Sequence, residues 1–167
     1  MSKLLYVIGF FAFSVNVNAN DQVKDIAKDV GYRSCLSTVS DIEDFFGNKV
    51  SYGSWSFWAR ENPDEQIFNS TLELTYGDGI QLVDFTVAPT KDGQCSFVYT
   101  RTFYSPKSCL ATTKNDYMSK AEFKGEINKS VSGFSEKGGV KWLLTPAGSG
   151  CLVQKKEIVF RSVRQDS

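Results

Sequence analysis

The chain has 167 residues, 41% hydrophobic and 23% charged, with 19 basic and 19 acidic side chains and no histidine. Balanced charge excludes bulk attraction to nucleic acid or anionic lipid, and the apolar fraction excludes a disordered chain. The missing imidazole excludes Ser-His-Asp and Cys-His catalysis, HExxH metalloprotease sites and every histidine metal ligand.

Residues 1–19 read as a cleaved secretory signal peptide. Lys3 supplies the positive start, Leu4 to Val15 the apolar run, and Val17-Asn18-Ala19 the small-residue cleavage pattern. The run is shorter than the roughly 20 apolar residues a membrane span requires. Residues 20–167 are expected to form a single globular domain, close to the commonest domain size of about 150 residues, in the periplasm or secreted, with no membrane span after cleavage.

From Asp21 to Phe46 apolar residues recur at helical spacing: Val23, Ile26 and Val30, then Cys35, Val39, Ile42 and Phe46. Gly31 divides or bends this helix, and Gly47-Asn48 ends it. Beyond Gly47 the period changes to two. In the stretch SYGSWSFWAR, an extended backbone sets Trp55, Phe57 and Ala59 on one face and Trp58 and Arg60 on the other. The apolar set is the expected core face, which leaves Trp58 and Arg60 as the ligand-contact candidates, both being residue types enriched in binding hot spots.

Phe68 to Tyr76 alternates as a half-buried strand, turns at Gly77-Asp78-Gly79 and returns through Ile80 to Val87 as a hairpin. The apolar parity of the return strand shifts between Leu82 and Val83, which predicts a bulge or burial on both faces. Cys95 to Tyr104 is a third long strand ended by Pro106. Ser108 to Phe123 fits a short helix or a loop. Further strands are expected at Glu126 to Phe134, Val140 to Thr145 and Cys151 to Arg161.

This order predicts an α+β fold, an N-terminal helix packed on an antiparallel β-meander that forms a curled sheet or partial barrel. A β-sandwich with an appended helix is the alternative. No repeat at a fixed period divides the chain. Four cysteines in an exported chain predict two disulfides. Of the three possible connectivities the preferred one joins Cys95 with Cys109, closing a short loop, and Cys35 with Cys151.

With the cysteines cross-linked, no thiol nucleophile remains, and no metal or cofactor site is indicated. Asp64, Glu65, Glu73, Asp78, Asp84 and Glu122 are raw material for carboxylate catalysis, but their spacing singles out no pair. Lys155, Lys156, Arg161 and Arg164 form the densest basic group and read as a solvated strand face or tail. By elimination the leading expectation is a non-catalytic binding module of the inhibitor, neutralising or accessory type, with a protein or glycan partner. A small carboxylate-dependent hydrolase of envelope polymers, and an envelope assembly subunit that pairs through exposed strand edges, are the alternatives.

Overall fold

The computed structural model describes residues 22–160; the expected signal peptide lies outside them. The helical stretch is two helices, α1 (Gln22–Asp29) and α2 (Leu36–Gly47), divided at Gly31, whose φ of +86° suits a residue without a side chain. Eight strands follow: β1 (Ser51–Trp58), β2 (Phe68–Tyr76), β3 (Gly79–Pro89), β4 (Cys95–Ser105), β5 (Glu122–Glu126), β6 (Ser132–Ser135), β7 (Lys141–Ala147) and β8 (Gly150–Val159). A one-turn helix α3 (Cys109–Thr112) and a 3₁₀ turn at Asp116–Met118 fill the segment between β4 and β5.

All strands join one antiparallel, unclosed sheet in the order β1-β2-β3-β4-β8-β7-β6-β5. The fold is therefore α+β, and the single sheet replaces the sandwich alternative. Both helical covers lie on the same sheet face. α1 and α2 bury Val23, Ala27, Val39, Ile42 and Phe46 against Phe68, Leu72, Val83 and Phe85. Met118, beside α3, packs with Trp142, Leu144 and Val153.

Four expectations are corrected. The disulfides are Cys35–Cys95 and Cys109–Cys151, not Cys95–Cys109 and Cys35–Cys151; each fastens a helical segment to the strand beneath it. Trp55 and Phe57 are not core residues: they are 71% and 59% exposed on the outer face, while Trp58 shares the helix-side parity. Parity was legible, but the buried face is chosen by Tyr52, whose hydroxyl donates to the buried Glu43 carboxylate and turns the even-numbered residues inward. The return strand β3 pairs without a register shift, and Ile80 and Leu82 simply stand exposed on the outer face. Glu126 to Phe134 is not one strand but the turn and second arm of the β5–β6 hairpin, closed by Ile127 N–H donating to the Val131 carbonyl at 2.8 Å.

The topology also exposes a duplication. Each half has a helical segment opened by Ser-Cys-Leu-x-Thr, Ser34 to Thr38 and Ser108 to Thr112, with the threonine buried in both. Each continues into a four-stranded meander. In each, a proline near the end of the third strand faces the disulfide cysteine at the start of the fourth: Pro89 opposite Cys95, and Pro146 opposite Cys151. β4 and β8, the fourth strands, join the halves. The operation that carries Cys95 onto Cys151 exchanges Tyr99 with Lys155 and Arg101 with Glu157, with the pseudo-two-fold axis at the Thr100–Lys156 pair. The linked cysteines are 60 residues apart in the first half and 42 in the second, so no fixed period survives for a sequence search to find.

Candidate functional site: a cationic aromatic cleft beside the pseudo-two-fold axis

The helix-side face of β4 reads Cys95, Phe97, Tyr99, Arg101, Phe103, Ser105, and that of β8 reads Cys151, Val153, Lys155, Glu157, Val159. Arg101 and Lys155 stand in an otherwise largely apolar row where it falls between the two helical covers. α1 and α2 pack over the first half and the α3 segment over the second, which leaves a cleft of about 590 Å³ floored by Gln81, Arg101, Phe103, Lys155 and Trp142.

Arg101 and Lys155 are direct cross-strand partners. Like charges directly opposite each other destabilise a sheet, and the surroundings compensate only in part. Arg101 Nε donates to Gln81 Oε1 at 2.6 Å, and its guanidinium lies 5.9 Å from the Tyr76 ring centroid and 5.8 Å from that of Phe103. Among the described residues no carboxylate comes within ion-pair distance of it. The bond at Nε fixes the plane of the guanidinium and leaves its two terminal nitrogens for a bidentate anion. Lys155 Nζ is 3.7 Å from Glu157 Oε2 and sits over the Tyr99 and Trp142 rings at 5.9 and 5.8 Å.

One wall is aromatic. Tyr117 stacks on Trp142 with centroids 5.7 Å apart and meets Phe103 edge-on at 5.6 Å. Its hydroxyl accepts from Asn115 Nδ2 at 2.9 Å, and Lys107 Nζ donates to Asn115 Oδ1 at 3.1 Å. Trp142 Nε1 donates to Glu136 Oε1 at 2.6 Å, which locks the indole. Burial, then the 2.6 Å hydrogen bond to Glu157, pushes the Tyr99 phenol well above its ordinary pKa. It stays protonated and serves as a donor that holds Glu157 beside Lys155. Asp78 and Asp116 lie on the rim.

Across the axis, α2 covers the same two strands. There a smaller hollow of about 300 Å³ is lined by Asp41, Phe45, Phe97, Tyr99 and Glu157. The two related hollows have thus diverged, one cationic and aromatic, the other acidic and apolar.

No family model, curated protein or solved structure matches the chain.

Trp58 and Arg60 stand apart from this cleft, at the end of the edge strand β1, with Trp58 43% exposed. The six carboxylates scatter. Asp64 accepts from the backbone N–H groups of Arg33 and Ser34, Glu73 and Asp84 lie on the outer face, Asp78 is in the β2–β3 turn, and Glu122 pairs with Lys124 at 2.8 Å. Glu65 lies in the exposed 3₁₀ turn after β1. Among the described residues no group of three or more Asp, Glu or Cys side chains is placed to hold a metal ion. Sequence pattern does not single out Arg101, and Lys155, expected on a solvated strand face, is half-buried in the cleft. The available signal was parity, since both cations fall on the dry side of long alternating strands.

Proposed function

We propose that the chain is a small exported, disulfide-stabilised, non-catalytic binding module, of the inhibitor, neutralising or accessory type, that holds an anionic group of a protein or glycan partner in the cleft. One observation carries the reading: two cations directly opposed on a half-buried sheet face, with the guanidinium pinned at Nε and its terminal nitrogens free of carboxylate. Such an arrangement costs folding free energy unless an anion completes it. Tyr117, 42% exposed and backed by the buried Trp142, and the half-buried Phe103 offer apolar surface to the rest of the ligand, as few polar groups among aromatics do in recognition sites. An oxidising compartment, periplasmic or extracellular, agrees with both disulfides. Among the described residues no helix is long and apolar enough to cross a membrane.

The test is calorimetric titration with carboxylate-bearing and neutral versions of the same sugars and peptides. Carboxylate-bearing ligands bind and their neutral counterparts do not. Arg101→Gln lowers the affinity by about tenfold or more, the scale of a lost charge-assisted bidentate contact. Equal binding of charged and neutral ligands, or a variant that binds as the parent does, would refute the proposal.

A further inference from the structure

The duplication is incomplete, and the missing part leaves a groove. In the first half α1 precedes the Ser-Cys-Leu-x-Thr segment, with Gly31 and Tyr32 between them. In the second half β4 ends at Ser105 and α3 begins at Cys109, so three residues stand where a counterpart of α1 would have to fit. The strand registers locate the place it would cover. The axis that carries Cys95 onto Cys151 carries Val87 onto Leu144, Phe68 onto Ser132 and Ser70 onto Phe134. In the first half Tyr32 stacks on Phe68 at 5.2 Å and donates its hydroxyl to the Val87 carbonyl at 3.0 Å, and Phe68, Ser70 and Val87 are fully buried. In the second half a groove of about 320 Å³ opens over Ser132, Phe134 and Leu144, with Leu110 and Phe123 on its walls. Leu36 of the first motif is half-buried against the core, whereas its counterpart Leu110 is 76% exposed.

We infer that this groove is the docking site for an acidic amphipathic helix of a partner protein, one that ends on an aromatic side chain laid over Ser132 as Tyr32 lies over Phe68. The first half supplies the shape of the occupant, a short helix with one apolar face and a ring at its end. Ser132 leaves that ring more room than Phe68 does, and the Leu144 carbonyl corresponds to the Val87 carbonyl that accepts from Tyr32. Charge supplies the sign. Residues 106–160 carry nine lysines against five carboxylates, whereas residues 22–105 carry seven basic against twelve acidic side chains. Lys114 and Lys124 adjoin the lining residues Thr113 and Phe123 in the chain, Lys124 being paired with Glu122. Opposite charge around an apolar contact steers a partner and rejects the wrong one. The groove lies apart from both ends of the described chain. Gln22 meets Ser54 on β1, near the opposite edge of the sheet, and Phe160 follows the end of β8 farthest from Cys151. It shares no lining residue with the cleft, so the inference stands without an anion there.

Two synthetic peptides of about 16 residues, long enough to hold a helix, test this by calorimetric titration. They share an apolar face of leucines closed by one tyrosine and differ only in carrying glutamate or lysine on the polar face. The glutamate peptide should bind with a dissociation constant on the order of ten micromolar, as a small interface allows. The lysine peptide should bind at least about tenfold more weakly at low salt. Leu110→Asp in the protein, or serine in place of the peptide's tyrosine, should each weaken the glutamate peptide by about tenfold or more. Leu110 is exposed, so the fold should survive, and an unchanged circular dichroism spectrum checks that. No binding by either peptide, equal binding of both, or a Leu110→Asp variant that binds as the parent does would each overturn the inference. So would a dimer of the parent that Leu110→Asp dissociates, which gives the groove to a second copy. Binding that appears only once residues 161–167 are removed would overturn it too, by giving the groove to the chain itself.

Discussion

Glu43 is 1% exposed, and it is the carboxylate a search for a catalytic acid would select first. Its contacts assign it a structural task. Oε1 accepts from the Val23 N–H at 2.7 Å and the Tyr52 hydroxyl at 2.6 Å, and Oε2 accepts from the Lys24 N–H at 2.9 Å. Val23 and Lys24 begin α1, where helix geometry leaves N–H groups without partners and the dipole favours negative charge. One side chain of α2 thus caps α1 and ties both helices to β1. α1 has eight residues, too few to persist without such support. Glu43→Ala would remove the acceptor of two buried donors and one part-buried donor, a buried donor left unsatisfied costing about 1–3 kcal/mol. Because the three belong to one network, a combined loss of about 3–5 kcal/mol is expected, as for one partner removed from a buried charged cluster. That is a large share of the roughly 5–15 kcal/mol by which domains are stable. Glu43→Gln keeps one acceptor but turns an NH₂ toward a donor, and about half the loss is expected. Urea unfolding of the oxidised protein measures both. A Glu43→Ala variant within about 1 kcal/mol of the parent would refute the capping argument, since even one stranded donor should cost that much.

Two further outcomes follow from the same geometry. The loops closed by Cys35–Cys95 and Cys109–Cys151 span 60 and 42 residues, and chain entropy makes each cross-link worth about 4 kcal/mol. The first half buries sixteen residues in its core and the second six, so a Cys109→Ser, Cys151→Ser double variant should lose amide protection in β5 to β8 while β1 to β4 stay protected; hydrogen exchange showing the reverse order would contradict this. Asp64 is held below the ordinary aspartate pKa, first by the Ser34 N–H, with the Arg33 N–H also contributing. A lowered carboxylate pKa stabilises the fold above its unfolded value near 3.9, and that contribution is lost as pH falls through the lower folded value. Acid unfolding followed by fluorescence should therefore be less steep over that window in Asp64→Asn, and an identical profile would remove Asp64 from the account.

Local chemistry made part of the fold readable from the chain. Helical spacing placed both N-terminal helices, Gly31 marked their division, and alternation in Phe68 to Tyr76 assigned that strand its buried face. The same alternation could not orient β1. Parity separates two faces, whereas the choice between them depends on Glu43, a residue of another element. Arg101 was invisible as a site for a related reason: an alternating strand shows which side a cation is on but not that the helices stop short of it.

The sequence by itself determined local elements: an N-terminal helical stretch divided at Gly31, strands of period two, and sulfurs enough for two cross-links. Only the tertiary structure decided which cysteines meet, which face of β1 is dry, and that β4 and β8 join back to back about an axis beside the cleft. These are relations between segments far apart in the chain. They are settled when one sheet must cover two unequal cores at once, and no local periodicity encodes that condition.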